Sequence, residues 1–299
     1  MKKLYGVITA MTTPFNASGQ VDTAALEKQV DFLISKKVNC LYPCGTTGEM
    51  YLMNAEERKT VAETVVKKAA GRVTVFIHTG AMTQEETISL SRHALEIGAD
   101  GIGVVTPSYF KINDNAMIQY YCNIAQSLPK DFPIYTYSIP QLSGNEISVN
   151  VMEEITSRCA NIIGIKYSYP DMNRLAQYLG IKNRSLSVVF GPDQLFLPAL
   201  VMGCDGTVSG CSGPVPEPFV EVYSKYLAGD LQGAHIAQLK ASETVRILQG
   251  GSDLAIFKMV LGARGIPGGY VRKPFLELDD EKKKQIHEAI KPCMEEVHA

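Results

Sequence analysis

The chain alternates eight times between a short apolar, β-branched run and a longer amphipathic segment, and few architectures accommodate that rhythm. The runs are YGVITA (5–10), NCLYP (39–43), VTVFI (73–77), GIGVV (101–105), FPIYTY (132–137), NIIGI (161–165), LSVVF (186–190) and GTVSG (206–210). Between them, segments such as 22–37, 54–70, 83–98 and 113–128 place apolar residues every three or four positions, the spacing of a helix with one buried face. Asp22, Asn54, Thr83 and Asn113 stand where those helices need N-caps. Strands covered by helices on one side and packed on the other read as near-continuous Val/Ile runs, as several do here. Eight strand–helix units in succession predict a closed (β/α)8 TIM barrel rather than an open doubly wound sheet. The barrel is expected over residues 1–229, with residues 230–299 as a helical extension packed on it in one structural unit.

At 299 residues the chain can bury a single large core. Its formal net charge is -2 and no basic stripe runs through it, which argues against nucleic acid or an anionic membrane as partner. No run approaches the ~18 apolar residues of a membrane helix. The opening MKKLYGVITAMTTPF is a poor signal peptide, because its apolar stretch runs at once into Thr, Thr and Pro. Seven cysteines, an odd number without a CxxC pair, fit a reducing compartment, so a cytoplasmic location is expected. The five histidines show no HExxH or other ligand spacing, and neither a metal nor a cofactor is expected.

In a TIM barrel the chemistry sits at the carboxyl ends of the strands. Lys166 directly follows the NIIGI run, where barrel side chains strip its amine of hydration and favour the neutral, nucleophilic form. Such an amine attacks a ketone and holds it as an iminium, an electron sink for the neighbouring carbon–carbon bond. The plainer alternative is a lysine that packs its stem and sends its ammonium to solvent or to an acid. Tyr137 ends the preceding strand and has a phenol suited to proton transfer, or to a single core hydrogen bond. The GTTGE turn (45–49) offers backbone N–H groups and the hydroxyls of Thr46 and Thr47 to a small carboxylate, or is an ordinary turn in which Glu49 is tied to backbone. Asp171 and Asp193 follow the sixth and seventh strands, where helix capping accounts for them as well as substrate contact does.

Taken together, GTTGE (45–49), TPSYF (106–110), YSIPQLSG (137–144), GIKYSYPD (164–171), GCDGTVSG (203–210) and VRKPF (271–275) resemble the Schiff-base aldolase superfamily of dihydrodipicolinate synthase and N-acetylneuraminate lyase, over essentially the whole chain. The resemblance implies that Lys166 forms an imine with pyruvate or another 2-oxo acid, that Tyr137 shuttles the proton, and that Thr47 with the Gly48 turn grips the carboxylate. It further implies that Thr46 links Tyr137 to Tyr109 reaching in from a neighbouring subunit, in a homotetramer built as a dimer of dimers.

Subfamily signals diverge. The synthase carries an arginine two residues after the proline of its Tyr-x-x-Pro motif, where this chain has Leu142, which cannot pair with a second carboxylate. The run IPQLSG is closer to the lyase pattern, and Ser168, Gly191 and Asp193 match positions that contact the sugar chain there. Gln194 stands where the sialic acid enzyme has glutamate, and Gly210 where it has serine. The expected function is therefore a pyruvate-dependent class I aldolase or lyase acting on a 2-keto-3-deoxy sugar acid or an N-acetylneuraminate-like compound, with an aldehyde as the second product. Dihydrodipicolinate synthase activity, a dehydratase working through the same imine, and a catalytically silent ligand-binding barrel stand as alternatives.

Overall fold

The computed structural model describes residues 1–294, apart from the side chains of residues 183 and 184; the last five positions assigned to the extension, 295–299, lie outside the described residues. All eight expected strands form: β1 (Gly6–Ala10), β2 (Cys40–Tyr42), β3 (Thr74–His78), β4 (Gly101–Val105), β5 (Ile134–Ser138), β6 (Ile162–Tyr167), β7 (Ser187–Phe190) and β8 (Gly206–Ser209). Each pairs in parallel with the next, and β8 pairs with β1 to close the barrel. The helices are α1 (Thr23–Ser35), α2 (Ala55–Ala69), α3 (Gln84–Glu96), α4 (Asp114–Gln126), α5 (Pro140–Ser143), α6 (Val149–Arg158), α7 (Met172–Gly180), α8 (Phe196–Met202), α9 (Glu217–Leu227), α10 (Leu231–Ile247), α11 (Leu254–Ala263) and α12 (Asp280–Met294). The last two form a helical extension beyond the barrel. Among the described residues no helix is long and apolar enough to cross a membrane.

The four expected N-caps all act as such. Asp22, Asn54, Thr83 and Asn113 each accept a backbone N–H from the first turn of α1 to α4, and Asn54 with Glu57 completes a reciprocal capping box. The buried face of α1 is Ala25, Leu26, Gln29, Val30 and Leu33, one stripe of a 3.6-residue repeat. Outward strand residues such as Val75, Ile102, Val104 and Val188 pack with these helix stripes in one continuous core, which is why the strands read as unbroken apolar runs.

Inside the barrel a second, smaller core gathers Ile8, Cys40, Tyr42, Phe76, Tyr135 and Val189. Rings of this size fit only where a facing strand gives up its side chain. A Cβ at Gly103 would run into the Tyr42 ring, and one at Gly164 into the Tyr135 ring. Tyr42 thus fills the space that Gly103 leaves, two strands away, and provides a flat aromatic floor just below the strand ends.

Closure between β1 and β8 rests on a similar economy. Gly6 and Gly206 are direct register partners, and a Cβ at Gly206 would lie 2.5 Å from the Gly6 nitrogen and 2.9 Å from the Tyr5 carbonyl carbon. Backbone cannot retreat as a flexible side chain can. Gly206→Ala is therefore expected to destabilise the fold by about 1–3 kcal/mol, the usual cost of overpacking, read from the midpoint of urea unfolding; an unchanged midpoint would mean that the β1–β8 seam has slack.

Candidate active site

The carboxyl ends of the strands open onto a cavity of about 590 Å³. All the expected site residues line it except Gly48 and Tyr109. Gly48 lies beneath the surface of its turn, its amide donating to Gly45 O and its carbonyl accepting the Thr13 hydroxyl at 2.9 Å. Tyr109 projects from the rim, 85% exposed, with φ of +74° and its ring packed edgewise on Phe110.

Lys166 and Tyr137 are register partners on β6 and β5, so adjacent strands deliver the amine and the phenol to one place. Lys166 is 5% exposed and faces the cavity, and its ammonium has no carboxylate at ion-pair distance among the described residues. Its Nζ sits 3.6 Å from the centroid of the Tyr137 ring and 5.1 Å from that of Tyr42. Aromatic faces are a weak substitute for water around a cation, so the cradle holds the amine while leaving its nitrogen free of any salt bridge.

Thr46 and Thr47 come from the turn after β2. The Thr46 hydroxyl oxygen is buried without a partner among the described residues. The Thr47 hydroxyl faces Gly210 across the mouth, where a Cβ would stand 2.9 Å from it and 3.1 Å from the Phe257 ring. The absence of a side chain at 210 is thus what gives Thr47 its position. Gly191 does the same for Ser168, whose side chain occupies the space a Cβ would need. Gln141 Nε2 donates to Ser168 O at 2.7 Å and ties α5 to the end of β6, leaving Leu142 64% exposed at the cavity edge.

The two aspartates part ways. Asp171 caps α7, accepting from Asn173 N and Arg174 N. Asp193 caps nothing; it begins a 3-10 turn (Asp193–Leu195), and its Oδ1 is shut off from solvent with no partner among the described residues. Although the residue as a whole is half-buried, burial of the carboxyl pushes its pKa up to about 6, opposed by nearby groups of Ser209 and Cys211 and by the charge of Lys166. Lys166 is the one cation and Asp193 the one anion among the described residues that line the cavity.

Several features escape a reading of the sequence. His78 is fully buried at the end of β3, its ring edge-on to Tyr137 at 5.9 Å. Its Nδ1 lies 3.0 Å from Cys44 O, and since a carbonyl only accepts, Nδ1 carries the hydrogen and Nε2 a lone pair. Burial first, then the charges of Arg58 and Lys166, hold its pKa well below the usual histidine range, so it is neutral. The turn at 250–252, with Leu254 and Phe257 of α11, forms a wall of the cavity, so the C-terminal extension is part of the site. No local motif marks such residues, because they acquire meaning only when the barrel closes.

Residues 3–293 match the Dihydrodipicolinate synthetase family. The chain belongs to the dihydrodipicolinate synthase and N-acetylneuraminate lyase superfamily of Schiff-base class I aldolases and lyases. It is 32% identical over 286 residues to the 4-hydroxy-tetrahydrodipicolinate synthase of Aquifex aeolicus, with 96% of both chains covered. Among solved structures it is similar to YagE of E. coli K12, a prophage protein of the dihydrodipicolinic acid synthase family in complex with pyruvate, at a TM-score of 0.92 and 29% identity over 98% of this chain and 99% of that one. N-acetylneuraminate lyase from Mycoplasma synoviae superposes with a TM-score of 0.89 at 27% identity, over 97% of this chain and 98% of the other. Class I Schiff-base chemistry is supported by this membership.

The raised Asp193 pKa has a measurable sign. Between the ordinary value of 3.8 and about 6 the folded carboxyl keeps a proton that the unfolded chain has lost. The folded state then binds more protons, so this group's share of stability is present below pH ~4 and is lost as pH rises toward 6. Asp193→Asn is expected to remove that slope, seen as a gain in stability relative to wild type that grows across this window in urea unfolding at stepped pH. A difference that stays flat would place the carboxyl in a wetter setting.

Proposed function

We propose that this protein is a pyruvate-dependent class I aldolase or lyase that cleaves, or in reverse forms, a carbon–carbon bond of a 2-keto-3-deoxy sugar acid or N-acetylneuraminate-like substrate through a Schiff base on Lys166. The observation that carries the substrate class is the charge content of the cavity. Once Lys166 is committed to the imine, no other cation lines the described cavity to hold a second carboxylate, and Asp193 opposes one. Hydroxyl groups suit the same wall, since a carboxylate accepts their hydrogens. Leu142 offers no charge at the edge where the synthase has its arginine.

In this reading the free amine of Lys166 adds to the keto carbon C2, and loss of water leaves a protonated imine. The Thr47 hydroxyl and the amides of its turn hold the substrate carboxylate. Tyr137 takes the proton of the C4 hydroxyl, the C3–C4 bond breaks, and its electron pair passes into the iminium, leaving the enamine of pyruvate and a free aldehyde. Return of a proton to C3 and addition of water across the imine release pyruvate and restore the amine. Thr46 relays protons between Tyr137 and Tyr109 of the partner subunit, in a homotetramer. The unmet Thr46 hydroxyl and the exposed Tyr109, which does not line the cavity of its own chain, support that arrangement.

The alternative is condensation of pyruvate with aspartate semialdehyde, favoured by the 32% identity to the Aquifex synthase. A panel assay for pyruvate release from 2-keto-3-deoxy sugar acids and N-acetylneuraminate, run beside the condensation assay, separates the two; a clear preference for condensation overturns the proposal. Lys166→Ala is expected to abolish adduct formation with pyruvate and borohydride, detected as loss of the mass shift, and Tyr137→Phe to retain the adduct but lose about 100-fold or more in turnover. Leu142→Arg should shift the ratio of kcat/KM for condensation over cleavage upward by about tenfold, the worth of one charge-assisted contact to the second carboxylate. A ratio that does not move would remove Leu142 from the distal pocket.

A further inference from the structure

The threonine turn is held from an unexpected quarter. Glu49 closes the turn, its amide donating to Thr46 O at 3.0 Å, with φ of +60° in the left-handed region. Its side chain is fully buried. One carboxylate oxygen accepts a hydrogen bond from Nζ of Lys258 on α11, and the other accepts the backbone N–H of Arg272 at 2.9 Å. Lys258 is 2% exposed at its side chain, also donates to Tyr270 O at 2.6 Å, and lies 4.6 Å from the centroid of the Phe15 ring. A second tie runs in parallel, from the Arg272 guanidinium to Leu52 O at 2.7 Å and to the Glu57 carboxylate at 2.7 Å. The turn that carries Thr46 and Thr47 is thus anchored to a helix 209 residues further along the chain.

Burying an ion pair gives little net stability, because desolvation consumes most of the Coulomb gain. What such a pair does supply is a fixed relative placement, since neither charge can be left alone. The placement here is informative, for Phe257, the neighbour of Lys258, walls the cavity and packs toward Gly210 and Thr47. One residue of α11 faces the substrate space and the next one grips the turn.

We propose that Glu49 and Lys258 are positioning residues for the carboxylate grip: their buried pair sets the pose of the Thr46–Thr47 turn against the α11 wall, so that the turn binds the 2-oxo acid carboxylate without rearranging. The inference rests on reading that turn as the grip. Neither side chain touches substrate; both act through the backbone of residues 46–48.

The test uses the full chain and three variants. Lys258→Met leaves Glu49 as an unpaired buried charge and is expected to lose stability. Glu49→Gln combined with Lys258→Met removes both charges while keeping an acceptor for the Arg272 amide. Lys258→Arg keeps the cation. Borohydride trapping across a range of pyruvate concentrations gives a half-saturating concentration and a plateau rate, and hydrogen exchange without pyruvate reports on the peptide spanning residues 44–50. In the folded double variant the half-saturating concentration is expected to rise tenfold or more with the plateau rate within threefold. Exchange should quicken in 44–50 but not in β3, and Lys258→Arg should recover most of the affinity. A purely structural strut would lower the melting temperature and leave the half-saturating concentration in place. The proposal is overturned if a folded double variant keeps half-saturation within twofold of wild type, or if exchange in 44–50 is unchanged. Should wild type itself form no adduct with pyruvate, the functional reading falls, and the exchange comparison alone decides whether the pair positions the turn.

Discussion

A nearly buried amine without a paired carboxylate among the described residues is the constraint around which this molecule is arranged. Lys166 reaches its place because β6 ends at the barrel mouth, and it stays there because two aromatic faces, Tyr137 beside it and Tyr42 below, accept a cation poorly but well enough. A carboxylate in the same spot would have held the ammonium more firmly and blocked its nitrogen. Asp193, the one carboxylate among the described residues that line the cavity, has its charge weakened by burial, and His78, edge-on to Tyr137, is kept neutral. The amine is thus bordered by aromatic faces, with no ion pair to a carboxylate among the described residues.

Much of this was legible from the residues in order. The eight strands announced themselves because a strand enclosed on both faces is written in Val and Ile, and even the short β7 and β8 fell where the rhythm required. The caps at Asp22, Asn54, Thr83 and Asn113 were legible because capping is local chemistry spanning three residues. Lys166 and Tyr137 could be paired in advance because consecutive strands of a barrel end side by side. What stayed hidden depends on closure. Asp193 was equally explicable as a cap until its Oδ1 proved to be sealed in, and nothing near Lys258 in the sequence points to Glu49. Gly48 belongs to the motif but works from inside the turn, a distinction that a motif cannot express. Tyr109 belongs to a motif as well, yet it lies outside the cavity of its own chain.

The extension changes meaning in the folded molecule. Read along the chain it is a set of helices with apolar faces to bury. In space α11 presents Leu254 and Phe257 to the cavity and Lys258 to the turn opposite, so the last quarter of the chain carries part of the cavity wall. Catalytic barrel and accessory tail are therefore poor names for the two parts.

The exchange of bulk between Tyr42 and Gly103 bears on how such a protein can diverge. The ring occupies the volume that the glycine surrenders, so neither position can change alone: a larger residue at 103 requires a smaller one at 42, and the smaller one removes the surface on which the amine rests. Substitutions at the floor of the cavity must come in compensating pairs and threaten the chemistry while they are incomplete. The rim has no such lock, for Leu142 and Gln194 are exposed and share no volume with a distant strand. Change in the lining of the cavity is thereby channelled to the rim, where a side chain can be replaced without disturbing the aromatic floor below the Lys166 amine.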